Sequence, residues 1–104
     1  DQHLYVFFTN RGDEPERIML STISLKGDWS EWVASEPIEV LRPEKDYEGA
    51  TLPLKASRGG YIDERVHQLR DPAIYQEGDK TYLLYSVAGE SGIAIAEIRF
   101  DELN

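Results

Sequence analysis

The sequence predicts an all-β fold built from a recurring hairpin, and three observations carry that expectation. Two strand-like segments resemble each other along their length. Each is divided by a glycine-bearing turn. No stretch repeats its apolar residues strongly at helical spacing.

The first hairpin runs Leu4-Tyr5-Val6-Phe7-Phe8-Thr9, turns through Asn10-Arg11-Gly12-Asp13-Glu14-Pro15, and returns over Arg17–Ile23. The second runs Thr81-Tyr82-Leu83-Leu84-Tyr85-Ser86, turns through Ala88-Gly89-Glu90-Ser91-Gly92, and returns over Ile93–Ile98. Tyr5-Val6-Phe7-Phe8-Thr9 aligns with Tyr82-Leu83-Leu84-Tyr85-Ser86, Gly12 falls opposite Gly89, and Ile18-Met19-Leu20-Ser21 aligns with Ile93-Ala94-Ile95-Ala96. The outgoing strand of each hairpin is apolar on both faces, which predicts burial between two layers.

Two further strands lie between them. Glu36-Pro37-Ile38-Glu39-Val40-Leu41 alternates in polarity, and Pro37 and Pro43 at its margins suit a sheet edge. Asp71-Pro72-Ala73-Ile74-Tyr75-Gln76 is short, apolar at its centre, and ends in the turn Glu77-Gly78-Asp79-Lys80. Tyr61–Leu69 has room for a turn or two of helix but lacks the periodicity of one. Recurring all-β units with small turns suit a propeller, a sandwich or a barrel, and the spacing of the copies is nearer a propeller blade plus an insertion. Numbered outward from the axis, residues 1–50 then hold strands two to four of one blade. Residues 51–104 hold a loop and strands one to three of the next. About two antiparallel blades, incomplete, are expected. A small closed sandwich is the competing architecture.

Composition narrows the partners. The 104 residues carry 20 acidic and 11 basic side chains, a net charge of -9, so a polyanion such as nucleic acid is repelled over most of the surface. No apolar run is long enough for a membrane-spanning helix. Cysteine is absent, which removes disulfides and thiol chemistry and leaves the compartment open. Asp1-Gln2-His3 leads straight into a strand with no signal peptide. The chain reads as a piece of something longer or as a mature form, compatible with a secreted or periplasmic parent.

The segment from Leu69 to Ser86, with Arg70-Asp71-Pro72, the Gly78-Asp79 turn and Tyr82-Leu83-Leu84-Tyr85-Ser86, resembles a blade start in the five-bladed furanosidase-type glycoside hydrolases of families 32, 43, 68 and 117. Gly89–Ala96 is similar to their third strand, and Tyr5–Thr9 is similar to a second strand. The resemblance implies closing blades of such a propeller. It implies a carbohydrate-active protein, a glycoside hydrolase acting on poly- or oligosaccharide in an axial funnel, or a non-catalytic propeller used for binding or assembly.

The same resemblance nominates site residues, because innermost strands start at the funnel. Asp71 matches the Arg-Asp-Pro aspartate, similar to a transition-state stabiliser that binds sugar hydroxyls. Against this, an Asp before Pro often only accepts hydrogen bonds in a turn. His67 suits hydroxyl binding, acid work or holding a metal-bound water on the axis, or else is simply packed or solvent-exposed. Glu64 is the candidate second carboxylate, since glycoside hydrolysis needs a pair. Arg70, Tyr61 and Gln68 are candidate substrate contacts, with a salt bridge from Arg70 to Asp63 or Glu64 as its structural alternative. Trp29 and Trp32 either stack on sugar or cap the outer edge of a blade. Ser57-Arg58-Gly59-Gly60 is not a phosphate loop, no metal-ligand spacing occurs, and no cofactor is implied. Expected partners are carbohydrate, the remaining blades, or further copies of the chain joined through open strand edges. The chain alone is expected to be catalytically silent.

Overall fold

A computed structural model describes residues 2–102; Asp1, Leu103 and Asn104, at the ends of the expected blade segments, lie outside the described residues. The chain is all-β, and the described residues form six strands: β1 (His3–Phe8), β2 (Ile18–Ser24), β3 (Ile38–Leu41), β4 (Arg70–Glu77), β5 (Lys80–Val87) and β6 (Gly92–Ile98). They form two separate antiparallel sheets, each three-stranded, in the orders β1-β2-β3 and β4-β5-β6. Short 3₁₀ turns at Trp29–Glu31, Asp46–Glu48 and Phe100–Glu102 punctuate the loops. Tyr61–Leu69 is irregular, consistent with its lack of helical periodicity.

Local chemistry explains the strands. The β4–β5 hairpin closes on a two-residue loop, with Glu77 opposite Lys80. Gly78 takes φ 62 there, a conformation that needs no Cβ. Along β5 the burial alternates strictly: Thr81, Leu83, Tyr85 and Val87 point inward. Their partners across the ladder are Ile98, Ala96, Ala94 and Gly92. In the first sheet, Ile18 and Leu20 of β2 are buried at 0% and 2% exposure. Ile18, Leu69, Leu83, Tyr85, Val87 and Ile98 form the core, with Phe7, Val40, Leu41 and Phe100 packed against it. One face of the first sheet therefore lies on one face of the second.

Burial departs from expectation at β1. Its apolar residues on both faces predicted a strand between two layers, yet Leu4, Tyr5 and Val6 remain 36–46% exposed. A doubly apolar strand is buried only if something packs on each side; burial here reaches Ile18 to Ser21 of the central strand β2 but not Leu4, Tyr5 and Val6 of the edge strand β1. The radius of gyration reflects this openness: 14.8 Å, against about 13 Å for a compact domain of this length. Trp29 likewise stands 74% exposed.

The sheets and the long loop meet at a tightly fitted junction. The 3₁₀ turn ends at Gly49, φ 94, where an added Cβ would collide with the Val66 carbonyl oxygen. Beside it, the buried Glu48 carboxylate accepts hydrogen bonds from the Glu44 and Lys45 amides (2.8 and 3.0 Å) and from the Tyr85 hydroxyl (2.8 Å). Gly49→Ala is expected to destabilise the fold by about 2–4 kcal/mol, from backbone strain plus overpacking, measured by urea unfolding.

The Tyr85 phenol is pushed up from its ordinary value, first by burial and then by its bond to Glu48. Above pH about 10 the unfolded chain therefore holds fewer protons at this residue than the folded one, so stability falls as pH rises. Tyr85→Phe should remove up to about 1.4 kcal/mol per pH unit of that alkaline slope. At neutral pH it should cost about 1–3 kcal/mol for the stranded carboxylate oxygen. Urea midpoints between pH 8 and 11 check both effects.

Candidate functional site

Five consecutive residues, Val66 to Arg70, carry the chain from the long loop into β4. Leu69 is fully buried and its amide bonds to the Glu16 carbonyl (2.9 Å). The Val66 amide bonds to the Ala88 carbonyl (3.2 Å), and the Gly89 amide to the Gln68 carbonyl (2.9 Å). This lacing turns the Arg70 side chain inward.

The Arg70 guanidinium is 8% exposed and satisfied on every nitrogen. Nε donates to Gln68 Oε1 at 3.1 Å and lies 3.2 Å from Glu16 Oε1. Nη1 donates to the Gly60 carbonyl at 2.7 Å and to Glu90 Oε2 at 3.1 Å. Nη2 donates to the Arg58 carbonyl at 3.0 Å and to Gln68 Oε1 at 2.9 Å. Glu16 in turn accepts from the Thr9 hydroxyl at 2.6 Å, and Glu90 from the Ile62 amide at 3.2 Å. Arg70 pairs with Glu16 and Glu90, not with Asp63 or Glu64. With no free donor, Arg70 acts as a structural tie rather than a substrate contact. Gln68 is 3% exposed, and its amide oxygen is taken by the same guanidinium.

Asp71, the next residue, is different in every respect. It is exposed, and it sits in a register shift between Arg70 and Ala73, where β4 bulges away from β5. Its φ is 53, a left-handed conformation in a non-glycine residue. The neighbouring Pro72 also disfavours the helical region at the residue before it. Such strain costs on the order of 1–3 kcal/mol and concentrates at functional positions. The one side-chain bond described for it comes from the Ser86 hydroxyl, 3.3 Å from Oδ2.

The other candidates divide between places. Glu64, Tyr61, Gln68 and Arg70 line a small cleft of about 170 Å³ together with Arg58 and Val66. Asp71 and His67 do not line it. Tyr61 is 77% exposed, with a long 3.4 Å contact to Asp63. His67 places Nδ1 3.1 Å from the Leu52 carbonyl. That oxygen only accepts, so Nδ1 carries the proton and Nε2 is the free position. No cluster of three or more metal-ligating side chains occurs among the described residues.

A larger groove of about 830 Å³ opens where the first sheet meets the C-terminal turn, with Tyr5, Leu20, Ile38, Val40 and Phe100 as its apolar floor. Phe100 meets Tyr5 edge-to-face at 4.7 Å. On the rim, hydrogen bonds from Arg42 (2.7 and 2.8 Å) hold the Glu39 carboxyl below the usual carboxylate range.

Sequence reasoning missed Glu16 and Glu48, the buried acids of the junction, and Glu90, the exposed acid that joins them. Nothing local marks them, because their partners lie far along the chain.

No family model matches the chain, and no solved structure matches it. Over 97 residues, 92% of its length, it is 46% identical to a protein of Acanthamoeba polyphaga mimivirus described as "Uncharacterized protein R118". The chain spans about a quarter (27%) of that relative's length.

Arg70→Met is expected to destabilise the fold by about 3–5 kcal/mol, because two acids and two loop carbonyls lose their shared donor. Arg70→Lys should recover only part, since an ammonium cannot reproduce the planar fork. Denaturant midpoints measure the loss, and hydrogen exchange should show it first at Ile62 and Leu69.

Proposed function

We propose that this chain forms the closing part, about two incomplete blades, of a five-bladed β-propeller in a carbohydrate-active protein, most plainly a glycoside hydrolase. One observation carries the reading: Asp71 is an exposed carboxylate held in a strained backbone at the start of the first strand of its sheet. In a propeller that position opens onto the axial funnel. There a carboxylate binds sugar hydroxyls and tunes a neighbouring acid.

Two further observations support the blade reading. The second sheet keeps an apolar face uncovered, with Ile93 and Ile95 77% and 59% exposed, as a blade without its neighbour would. The chain's six strands amount to nearly a third of the roughly twenty in five four-stranded blades, close to the 27% of the relative that it spans.

Asp71 and the candidate second acid are not brought together. Glu64 lines the separate small cleft. A glycosidase on this plan takes its paired acid from blades outside this chain, so the chain alone is silent. The missing pair also favours, as a second reading, a propeller that binds sugar without cleaving it.

Asp71→Gly should raise the stability of the chain by about 1 kcal/mol, because glycine accepts the left-handed backbone without strain. In a polypeptide carrying the complete ring, Asp71→Asn should lower sugar turnover about 100-fold or more. Unchanged turnover with Asp71→Asn would remove Asp71 from the chemistry, and unchanged sugar affinity, measured by calorimetry, would remove it from the funnel. Loss of affinity in a ring that never turns over sugar would select the binding reading.

A further inference from the structure

The small cleft of about 170 Å³ beside Arg70 has a wall that cannot drift. Arg70 donates to the Arg58 and Gly60 carbonyls at 3.0 and 2.7 Å and so fixes that stretch of backbone. Gln68 also lines the cleft and is only 3% exposed. Its amide oxygen accepts from Arg70 Nε and Nη2 at 3.1 and 2.9 Å. The amide cannot flip, because Nε2 would then face a guanidinium that has donors only. Among the described residues Nε2 has no partner of its own. Nor is it sealed in, since the unpartnered side-chain atoms closed off from solvent are Asp13 Oδ2 and Arg17 Nε. The slight surface that Gln68 keeps therefore opens on the cleft it lines, and presents a fixed N–H donor group there.

The charge around this cleft runs against that of the chain. Acids outnumber bases 20 to 11 overall, yet Lys55 and Arg58 both line the cleft. The Arg11 guanidinium lies over Gly59 on the wall, 2.7 to 2.8 Å from where a side chain at Gly59 would begin. Among the described residues none of these three cations is ion-paired. Unpaired cations gathered around a desolvated donor create a local potential that favours an anion. Glu64 is the one acid among the lining residues. Glu16 and Glu90 are spent on Arg70, whose own donors are all taken.

We propose that this cleft binds a small oxyanion, the carboxylate or phosphate group of a small polar ligand. Gln68 Nε2 supplies the buried hydrogen bond, Lys55 and Arg58 supply the facing charge, and Arg11 adds to it from the wall. The volume lies below the roughly 300 Å³ at which sites for drug-sized ligands begin, so a single group or one sugar ring fits and an oligosaccharide does not. On a ligand that also carries hydroxyls, Glu64 and Tyr61 are the acceptors within the same lining. Ser57-Arg58-Gly59-Gly60 lacks the following helix of a phosphate loop, so side chains hold the anion here instead of a helix terminus. The inference stands apart from the propeller reading and from Asp71, which does not line the cleft.

Titration of the isotope-labelled chain, followed by NMR at the Gln68 side-chain amide, provides the test. The probes are inorganic phosphate, acetate, glucuronate and glucose. The Gln68 amide signals should shift saturably with the anions and stay still with glucose. Phosphate binding more tightly than glucuronate assigns the group to a phosphate, and the reverse order assigns it to a carboxylate on a sugar-sized ligand. Lys55→Ala/Arg58→Ala keeps the Arg58 carbonyl that Arg70 uses, and should weaken the preferred anion about tenfold or more. Gln68→Glu keeps an acceptor for Arg70 but puts a charged oxygen in place of Nε2, and should abolish anion binding. Should that variant unfold, the exposed Lys55→Ala/Arg58→Ala pair decides alone. Three results would overturn the oxyanion site: no shift at Gln68 with any anion, an equal response to glucose and glucuronate, or undiminished affinity in Lys55→Ala/Arg58→Ala. None of them touches the Asp71 reading, which its own variants test.

Discussion

The buried guanidinium of Arg70 is the contact on which the rest of this molecule depends. It gathers Glu16 from the β1–β2 connection, Glu90 from the β5–β6 turn, and the Arg58 and Gly60 carbonyls from the long loop. Each group would be costly to bury alone, because a desolvated charge or carbonyl without a partner loses its hydration and gains nothing. Together they satisfy one another. The arrangement fixes a loop with little apolar content of its own against the second sheet.

That tie also explains why Asp71 can be strained. A residue keeps an unfavourable φ only where its neighbours overdetermine its position. Here Leu69 and Arg70 are locked on one side, and β4 enters its ladder with β5 on the other. The register shift between Arg70 and Ala73 absorbs the mismatch, leaving the carboxylate in solvent. Adjacent residues thus have opposite duties: Arg70 supplies rigidity, and Asp71 sits at the exposed position which that rigidity holds in place.

The strands were legible in the sequence because their signals are local. Apolar residues at strand period, the Gly78-Asp79 turn and the prolines flanking β3 each act within a few residues, and all six strands fall where those signals put them. The register match of the two hairpins, Phe7 with Leu20 where Leu84 pairs with Ile95, was legible for the same reason. Side-chain partnership was not. Arg70 reads as a substrate contact or as a salt-bridge partner of Asp63 or Glu64, and only the folded chain brings Glu16 and Glu90 to it. Burial of β1 was misjudged because apolar composition reports what a strand can bury, whereas exposure depends on what packs over it. Asp71 was legible as a motif residue, while its left-handed backbone was not.

The junction has a kinetic consequence. The β1–β2 and β4–β5–β6 pairings join neighbours in sequence and close small loops. The contacts that tie the sheets to the long loop between them do not: the Gly12 amide reaches Ser57 Oγ across 45 residues, and the Tyr85 hydroxyl reaches Glu48 across 37. Loop-closure entropy delays such contacts until the hairpins exist. Each hairpin alone is marginal in water, so the transition state is expected to hold partly formed sheets with the acidic junction still open. Interactions made after the barrier govern the rate of escape from the native state rather than the rate of arrival. The Arg70 cluster then serves as a late-closing latch that sets the lifetime of the folded chain.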